Sequence, residues 1–358
     1  MFPSHDLVNL RGYSNVLIQV VQNFLDLNVQ LLLSEAGIFI SNNSIVEISL
    51  PNFHFAASSF IEIDQLATLH LHSNPTINGD LLIHGTVIVP STTMEVVFGG
   101  IVNCFQSCSM FFESLVIFSQ TSTLDSNGVI EILTSNVELN GNYFTDYFYC
   151  RNSSINSKGR GEILGGIFDY SSISIHPDSS MTLSASIFGS EFLLHNNGLF
   201  ISKNVLALDS TLYFSYDSEF DLMELSLYNS HLVTEFISLL TFHNTLLEVN
   251  NSTFILSSNT ITGSANDVII LNSTFDITCI DCCELAVSSF FEIKDSTSII
   301  SGLPVTTVFL VLVDSELALN SDFIVENYFT FVNGIVEISE AFFFTTGELL
   351  MQKTTPNF

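Results

Sequence analysis

Cysteines are the residues of this chain whose type and spacing most directly suggest chemistry. Cys279 and Cys282 have C-x-x-C spacing, and Cys104 and Cys108 form a looser pair. A structural zinc site would need both close pairs to meet in space, and these two pairs lie far apart in the sequence. We therefore predict no zinc site. Each pair forms either a local disulfide, which implies an oxidising compartment, or free buried thiols.

Glutamates between apolar residues are a second candidate, as in Val-Glu-Ile at Glu47 and Ile-Glu-Ile at Glu62. In a strand this alternation turns the carboxylates outward. If Glu47 and Glu62 stack in neighbouring turns of a repeat, a hard cation such as Ca²⁺ would relieve their repulsion. The alternative is that they are solvated in different registers. We predict no other cofactor and no catalytic residue.

N-linked glycans are the chemistry suggested by five N-x-S/T sequons, at Asn42, Asn152, Asn250, Asn251 and Asn272. In a secreted eukaryotic protein such sequons accept glycans. The same residues also form turns, because Asn tolerates left-handed backbone and Ser bonds to the neighbouring main chain.

Histidines offer one further cluster, in which His70 and His72 share a strand face with His54 and His84 nearby. They either hold a metal or lie exposed on a sheet.

A repeated phrase indicates the elements that position these residues. It consists of an apolar–x–apolar pair, then Asn or Asp, then Ser, as in Leu-Ala-Leu-Asp-Ser at Ser210. The serines recur at steps of 19 to 23 residues, at Ser210, Ser230, Ser252, Ser273, Ser296 and Ser315. This period is typical of solenoids. Earlier anchors are predicted near Asp64, Gly85, Gly99, Ser114, Asn136, Ser153, Ser172 and Ser190.

The repeat predicts an all-β chain folded as a single-stranded parallel β-helix with coils of about 20 residues. Each unit holds short alternating segments that are typical of half-buried strands. Asn, Asp, Ser and Gly between these segments predict the corners. We expect residues 1–30 to form an irregular segment or cap, residues 31–350 one continuous β-helix, and residues 351–358 a tail.

Composition agrees with this fold and excludes several partners. Hydrophobic residues make up 47% of the chain, yet the longest unbroken apolar run is only Val308 to Val313. A membrane-spanning helix needs about 20 apolar residues, so none is predicted. An outer-membrane barrel, which also alternates, would show hairpins instead of one three-part unit. The net charge of −30 excludes nucleic acid and anionic membranes as partners.

The repeat pattern resembles the right-handed parallel β-helix (pectin-lyase-like) superfamily, which includes pectate lyases and polygalacturonases. The Asn-Thr-Asp, Asp-Asp, Gly-His-Gly and Arg-Ile-Lys motifs of polygalacturonases are not found, and no spacing singles out a carboxylate pair such as Asp169 and Glu191. Basic residues cluster only between Arg151 and Arg160. The chain is also similar to surface repeats of the polymorphic-membrane-protein and adhesin type, through the phrases Gly99-Gly100-Ile101, Gly165-Gly166-Ile167 and Phe39-Ile40-Ser41-Asn42.

We therefore expect a non-enzymatic surface or extracellular scaffold, used for adhesion or recognition, that offers a sheet face to a protein or glycan ligand. No signal peptide is visible, so a truncated start or a cytoplasmic protein is the other interpretation. The alternative function is a carbohydrate-active, polysaccharide-cleaving β-helix enzyme. A groove with outward acidic and aromatic residues would favour sugar binding, whereas a flat Ser/Thr/Asn face would favour a spacer.

Overall fold

The computed structural model is an all-β parallel solenoid of the right-handed type, with about 14 turns whose coils lie roughly 20 residues apart. It describes residues 8–9, 15–18, 32–33, 37–40, 45–48, 54–57, 60–72, 74–90, 95–105, 108–280, 285–339, 343–345 and 348–352. None of these residues is helical. The predicted fold class is therefore confirmed.

In the N-terminal part of the solenoid each coil consists of three short strands, one on each of three faces. These strands are β1 (Val8–Asn9), β2 (Asn15–Ile18), β3 (Leu32–Leu33), β4 (Gly37–Ile40), β5 (Ile45–Ile48), β6 (His54–Phe55), β7 (Phe60–Ile63), β8 (Thr68–Leu71), β9 (Thr76–Ile77), β10 (Asp80–Ile83), β11 (Thr86–Val89), β12 (Glu95–Phe98), β13 (Ile101–Cys104), β14 (Ser109–Phe112) and β15 (Leu115–Phe118). Every third strand pairs in parallel. The first face begins with β1, β4 and β7, the second with β2, β5 and β8, and the third with β3, β6 and β9.

From Thr123 onward a single longer strand runs along the first and second faces. The strand β16 pairs with both β13 and β14, and its register shifts at a bulge between Ser126 and Val129. The following strands are β16 (Thr123–Leu133), β17 (Asn136–Leu139), β18 (Asn142–Arg151), β19 (Ser154–Ser157), β20 (Arg160–Asp169), β21 (Ser172–Ile175), β22 (Ser180–Phe188), β23 (Glu191–Leu194), β24 (Leu199–Leu208), β25 (Thr211–Phe214) and β26 (Glu219–Tyr228).

The remaining strands continue this pattern, and the two longest, β27 and β28, each pass through two corners. They are β27 (His231–Asn250), β28 (Thr253–Leu271), β29 (Thr274–Cys279), β30 (Leu285–Lys294), β31 (Thr297–Ser301), β32 (Val305–Val313), β33 (Glu316–Asn320), β34 (Phe323–Val332), β35 (Ile335–Ile338), β36 (Phe343–Thr345) and β37 (Glu348–Gln352). The chain divides into two compact units: the first holds residues 1–174 and 179–181, and the second holds residues 175–178 and 182–358.

Strands occur near both termini, and the predicted division into residues 1–30, 31–350 and 351–358 stays a prediction. The strands β1 and β2 lie inside residues 1–30, where an irregular segment or cap was expected, and they pair in parallel with β4 and β5. Their apolar alternation explains this pairing, because it fits the solenoid as well as the later coils do. At the other end β37 reaches Gln352, two residues into the predicted tail. A single continuous β-helix stays a prediction.

Alternate side chains point into the coils and form the core of each unit. In the first unit the buried rings of Phe98 and Phe118 stack in successive coils, with centroids 5.1 Å apart. In the second unit Phe200 and Phe220 stack at 5.4 Å. Such contacts add to the free energy gained by burying apolar area. The core thus accounts for the high apolar fraction of the chain.

The repeated phrase forms the corner between the second and third faces. Its Asn or Asp has a left-handed backbone, with φ of 51° at Asp209, 50° at Asn229 and 48° at Asp314. The Ser that follows is buried, and its Oγ accepts a hydrogen bond from the amide N–H of the corner serine one coil earlier. We call this column of serines the serine ladder. The prediction that the phrase is a corner is confirmed.

Two of the predicted anchors are displaced by one residue, and others lie at a different corner. The ladder members of the first unit include Ser135, Ser153 and Ser171, so the anchors predicted near Asn136 and Ser172 lie one residue further along the chain than the corner serines. Asp64 and Gly85 lie between the first and second faces instead.

In the part of the chain that the structure describes, no helix has the length and apolar character needed to cross a membrane.

Candidate functional site

A groove of about 440 Å³ opens on the outward side of the first face, within the first unit. It is lined by Thr123, Leu124, Asp125, Asn127, Asn142, Tyr143 and Phe144. It is an open depression on the sheet surface and not an enclosed cavity. All seven residues belong to β16, to β18 or to the bulge of β16, so two successive coils build the groove.

Strand register decides which side chains share a column in the groove. Asp125 is the register partner of Phe144, and Phe144 is in turn the partner of Glu162 on β20. Thr123 lies beside Asn142, which lies beside Arg160. Neighbouring strands lie about 4.8 Å apart. The outward face therefore presents a carboxylate, an aromatic ring and a second carboxylate in one column, with a hydroxyl, an amide and a guanidinium in the next.

The floor of the groove is formed by Leu124 and Tyr143, which point into the core. Tyr143 is 4% exposed, and its hydroxyl lies 2.9 Å from Oγ of buried Ser157. Burial raises the pKa of the Tyr143 hydroxyl well above its usual value, so this hydroxyl stays neutral inside the coil. Its neighbour on β20 is Gly161, where a Cβ would lie 2.3 Å from the Tyr143 ring. Glycine at this position is what leaves room for the ring.

One end of the groove is held by a disulfide-closed corner. Cys104 and Cys108 are bonded with their Cα atoms 5.6 Å apart. They pack against the bulge of β16, where a Cβ on Gly128 would lie 2.6 Å from the Cys108 carbonyl oxygen and 2.8 Å from Cys104 Sγ. Val129 N–H also donates to the Cys108 carbonyl, at 3.1 Å. These contacts fix the bulge that turns Asn127 outward at the groove wall.

The groove combines hydrogen-bonding side chains with an apolar surface. Asp125 accepts hydrogen bonds, the amides of Asn127 and Asn142 both donate and accept, and Thr123 adds a hydroxyl. The half-buried Phe144 supplies an apolar surface beside them. Few polar groups converging on an apolar concavity are a general feature of ligand sites. The groove thus places an acidic and an aromatic side chain side by side on an outward face.

An outward aromatic column lies on the second face of the second unit. Phe290, Phe309 and Tyr328 are register partners in successive coils, with ring centroids 4.9 and 5.6 Å apart. Phe290 is 45% exposed and Tyr328 is 49% exposed. The middle ring, Phe309, is stacked on both sides, whereas Phe290 and Tyr328 each stack on one side only within this column.

The proposed calcium ligands do not stack, so that expectation is wrong. Glu47 lies on the second face, between Leu17 and His70. Glu62 lies on the first face, between Phe39 and Leu82. The two carboxylates are outward, as predicted, but the strands that carry them belong to different columns. Among the described residues no group of three metal-binding side chains comes together.

The cysteines fall into three situations. Cys104 and Cys108 form the disulfide described above. Cys279 is also disulfide-bonded, while Cys282 lies outside the described residues. Cys150 is a buried free thiol whose Sγ–H donates to Ser171 Oγ at 3.5 Å. Burial raises its pKa to about 11, so it stays protonated at neutral pH.

The sequons coincide with the corners. Asn152, Asn251 and Asn272 have φ near 48° and directly precede ladder serines, whereas Asn250 ends β27 and is half-buried. The amide of Asn251 donates to Asn229 Oδ1, and the amide of Asn272 donates to Asn251 Oδ1. Asn42 lies outside the described residues. The sequons thus have a role in the fold, and glycosylation stays a prediction.

The histidine and basic clusters do not form sites. His70 and His72 stack at 6.0 Å, but His54 lies beside Asn78 and His84 stacks on Phe105. Between Arg151 and Arg160, Arg151 pairs with Asp169 at 3.3 Å and Lys158 pairs with Glu138 at 3.3 Å. Glu191 begins β23, in the second unit. Asp169 lies in the first unit and is engaged by Arg151.

Sequence reasoning missed the groove residues. The alternation predicts that Asp125 and Phe144 face outward, but it does not show that they are partners in adjacent coils. Counting from the ladder serines would have placed Phe144 and Glu162 in one column, because each lies nine residues after its serine, Ser135 or Ser153.

No known family profile matches the chain, and no curated protein matches it either.

Proposed function

We propose that this chain is a non-enzymatic β-helix scaffold of the cell surface or extracellular space that recognises a glycan. The observation that carries the proposal is the groove on the first face, where the Phe144 ring lies in register beside Asp125. Aromatic surface beside hydrogen-bonding side chains suits sugars, which have apolar C–H faces and hydroxyl edges. Membership of the pectin-lyase-like superfamily is part of the same proposal and rests on the coil architecture.

The residues that form the corners are different from the residues that line the groove. Serine and the preceding Asn or Asp are used within the corner, through backbone geometry and hydrogen bonds to the main chain. The groove residues belong to no repeat phrase, and they lie on an outward face. A ligand can therefore bind there without disturbing the contacts that stack the coils.

Binding of oligosaccharides to the purified chain tests the proposal. We expect one or more members of a panel of linear and branched oligosaccharides to bind, measured by calorimetry. Phe144→Ala should weaken that binding at least tenfold. Phe290→Ala is the matched control, because it removes an outward aromatic ring from the other unit. If no oligosaccharide binds, or if both variants bind as the parent does, the groove is not a glycan site.

A polysaccharide-cleaving enzyme is the second candidate, and one observation favours it. Asp125 and Glu162 lie on either side of Phe144 in the same column, so their Cα atoms are roughly 10 Å apart. Glycoside hydrolases flank the sugar with two carboxylates, and in inverting enzymes the carboxyl groups, as distinct from the Cα atoms, lie about 6.5–9.5 Å apart. Release of reducing ends from a bound polysaccharide, lost in Asp125→Asn, would establish this function. Binding without product release would exclude it.

A further inference from the structure

We infer that the groove selects neutral glycans and rejects acidic ones, with Asp125 as the residue that discriminates. This inference rests on the proposed function, because it names the class of glycan that the same groove would hold. It follows from where the charges of the first unit lie. Asp125 is exposed at the centre of the groove, between Asn103 and Phe144 in its column.

Carboxylates dominate the charge on the groove face. Asp125 lines the groove, and Glu162 follows Phe144 in the same column. Asp146 lies on β18, two residues beyond Phe144. The whole chain carries a net charge of −30. An acidic sugar bound against Phe144 would bring its own carboxylate within about 5 Å of Asp125, well inside a Debye length of about 8 Å, so physiological salt would not screen the repulsion.

Two of the three basic residues near the groove are already paired with carboxylates. Arg151 is paired with Asp169, and Lys158 is paired with Glu138. Arg160 stands at the rim beside Asn142, but Glu162 lies two residues further along the same outward face. A site for polyuronates needs guanidinium or ammonium groups that face the sugar carboxylate. Here the central position is occupied by a carboxylate instead.

The polar lining suits neutral sugars. An ionised carboxylate accepts two hydrogen bonds and donates none, so Asp125 matches a pair of neighbouring sugar hydroxyls. Asn127, Asn142 and Thr123 add donors and acceptors without net charge. Hydrogen bonds to an ionised acceptor are stronger than neutral ones. Asp125 would therefore both attract the hydroxyl edge of a neutral sugar and repel an acidic one.

Calorimetry with two matched ligand sets tests the inference. Neutral xylan, glucan and galactan oligosaccharides are compared with oligogalacturonates of the same length, at low and high NaCl. The parent chain should bind the best neutral ligand at least tenfold more tightly than any oligogalacturonate. High salt should reduce this ratio of neutral to acidic affinity. Asp125→Asn should weaken neutral binding and reduce the ratio at least threefold. Arg160→Gln should widen the ratio.

Glu62→Gln is the control, because it neutralises an outward carboxylate on the same face several coils away from the groove. It should leave the ratio unchanged, and thermal melting should show that each variant folds. Tighter binding of oligogalacturonate by the parent, or an unchanged ratio in Asp125→Asn, overturns the selectivity while leaving glycan binding intact. If neither class binds, the proposed function fails and the selectivity fails with it.

Discussion

The amide N–H of Ser210 donates to Oγ of Ser230 in the next coil, at 3.1 Å. Ser230 Oγ lies 2.8 Å from the carbonyl oxygen of Tyr228 and 3.1 Å from that of Ala207, so its own proton is also used. The same relationship links Ser230 to Ser252 and Ser252 to Ser273. Buried main-chain groups at the corner are thereby satisfied by a side chain, where strand pairing is interrupted.

Removal of one ladder hydroxyl should destabilise the chain. Ser230→Ala leaves the N–H of Ser210 without its acceptor, in a buried position. We expect the free energy of unfolding to fall by about 1–3 kcal/mol, the cost of a buried unsatisfied donor. Urea denaturation followed by circular dichroism measures the change. Thr211→Ala, directly after Ser210, removes an exposed hydroxyl and should leave the free energy of unfolding nearly unchanged. Equal effects of the two variants would contradict the ladder's role.

A left-handed corner should reject β-branched residues. Asp314 is exposed and has φ of 48°. Asp314→Val should cost about 1–2 kcal/mol, because Cβ meets the following carbonyl oxygen in this conformation. Asp314→Gly should be tolerated, since glycine adopts positive φ without that clash. Thermal melting of both variants measures the difference. Similar melting temperatures for Val and Gly would show that backbone geometry does not select the residue.

The thiol of Cys150 should be inert in the folded chain. It is buried, and burial raises its pKa to about 11, so almost no thiolate exists at pH 8. Because the thiolate is the reactive form, Ellman's reagent should label Cys150 only after denaturation. Cys150→Ala removes that label and identifies it. Labelling at native conditions with the rate of an exposed thiol would mean that the corner opens readily.

Stability in the first unit should fall as the pH is lowered, partly through His70. Burial lowers the pKa of His70, the charge of Glu47 raises it, and His72 lowers it again. The unfolded imidazole, with a pKa of about 6.5, thus takes up a proton first as the pH falls. The stability that neutral His70 provides is present above that value and is lost towards acid.

His70→Gln should therefore flatten the pH dependence of unfolding between pH 7.5 and 5.5. Urea midpoints at several pH values measure it. The exposed His231 lies in the other unit, and His231→Gln serves as the comparison. If His70→Gln keeps the full slope of the parent chain, another group controls the acid sensitivity.

The corners show what the sequence could reveal and where it could not. Asp-Ser and Asn-Ser phrases predict a turn because these residues favour left-handed backbone. At two earlier corners Thr134 and Tyr170 hold that conformation, with φ of 51° and 46°. Neither residue signals such a turn, so Ser135 and Ser171 were missed by one position. There the hydrogen bonds of the ladder outweigh local preference.

Side-chain partners between coils were the harder problem. Alternation correctly turns Glu47, Glu62 and Asp125 outward, since period-two patterning is local. Partnership depends on how many residues each coil holds and on which face each strand lies. Glu47 and Glu62 are two strands apart, one strand short of a full coil, so they lie on different faces. The groove could not be predicted from the sequence for the same reason, because its residues are brought together by the register of β16 against β18.

Coil length and coil register are uncoupled by the serine ladder. Successive ladder bonds span 20, 22, 21, 23 and 19 residues, yet their N–O distances stay between 3.0 and 3.1 Å. The extra residues must therefore be taken up at bulges elsewhere in the coil, such as those near Glu224, Thr245 and Phe290. At each corner the ladder hydrogen bond brings the chain back into register with the coil before it. Such a scaffold can gain or lose single residues on its other faces, and so vary its surface, while the stacking of the coils is kept.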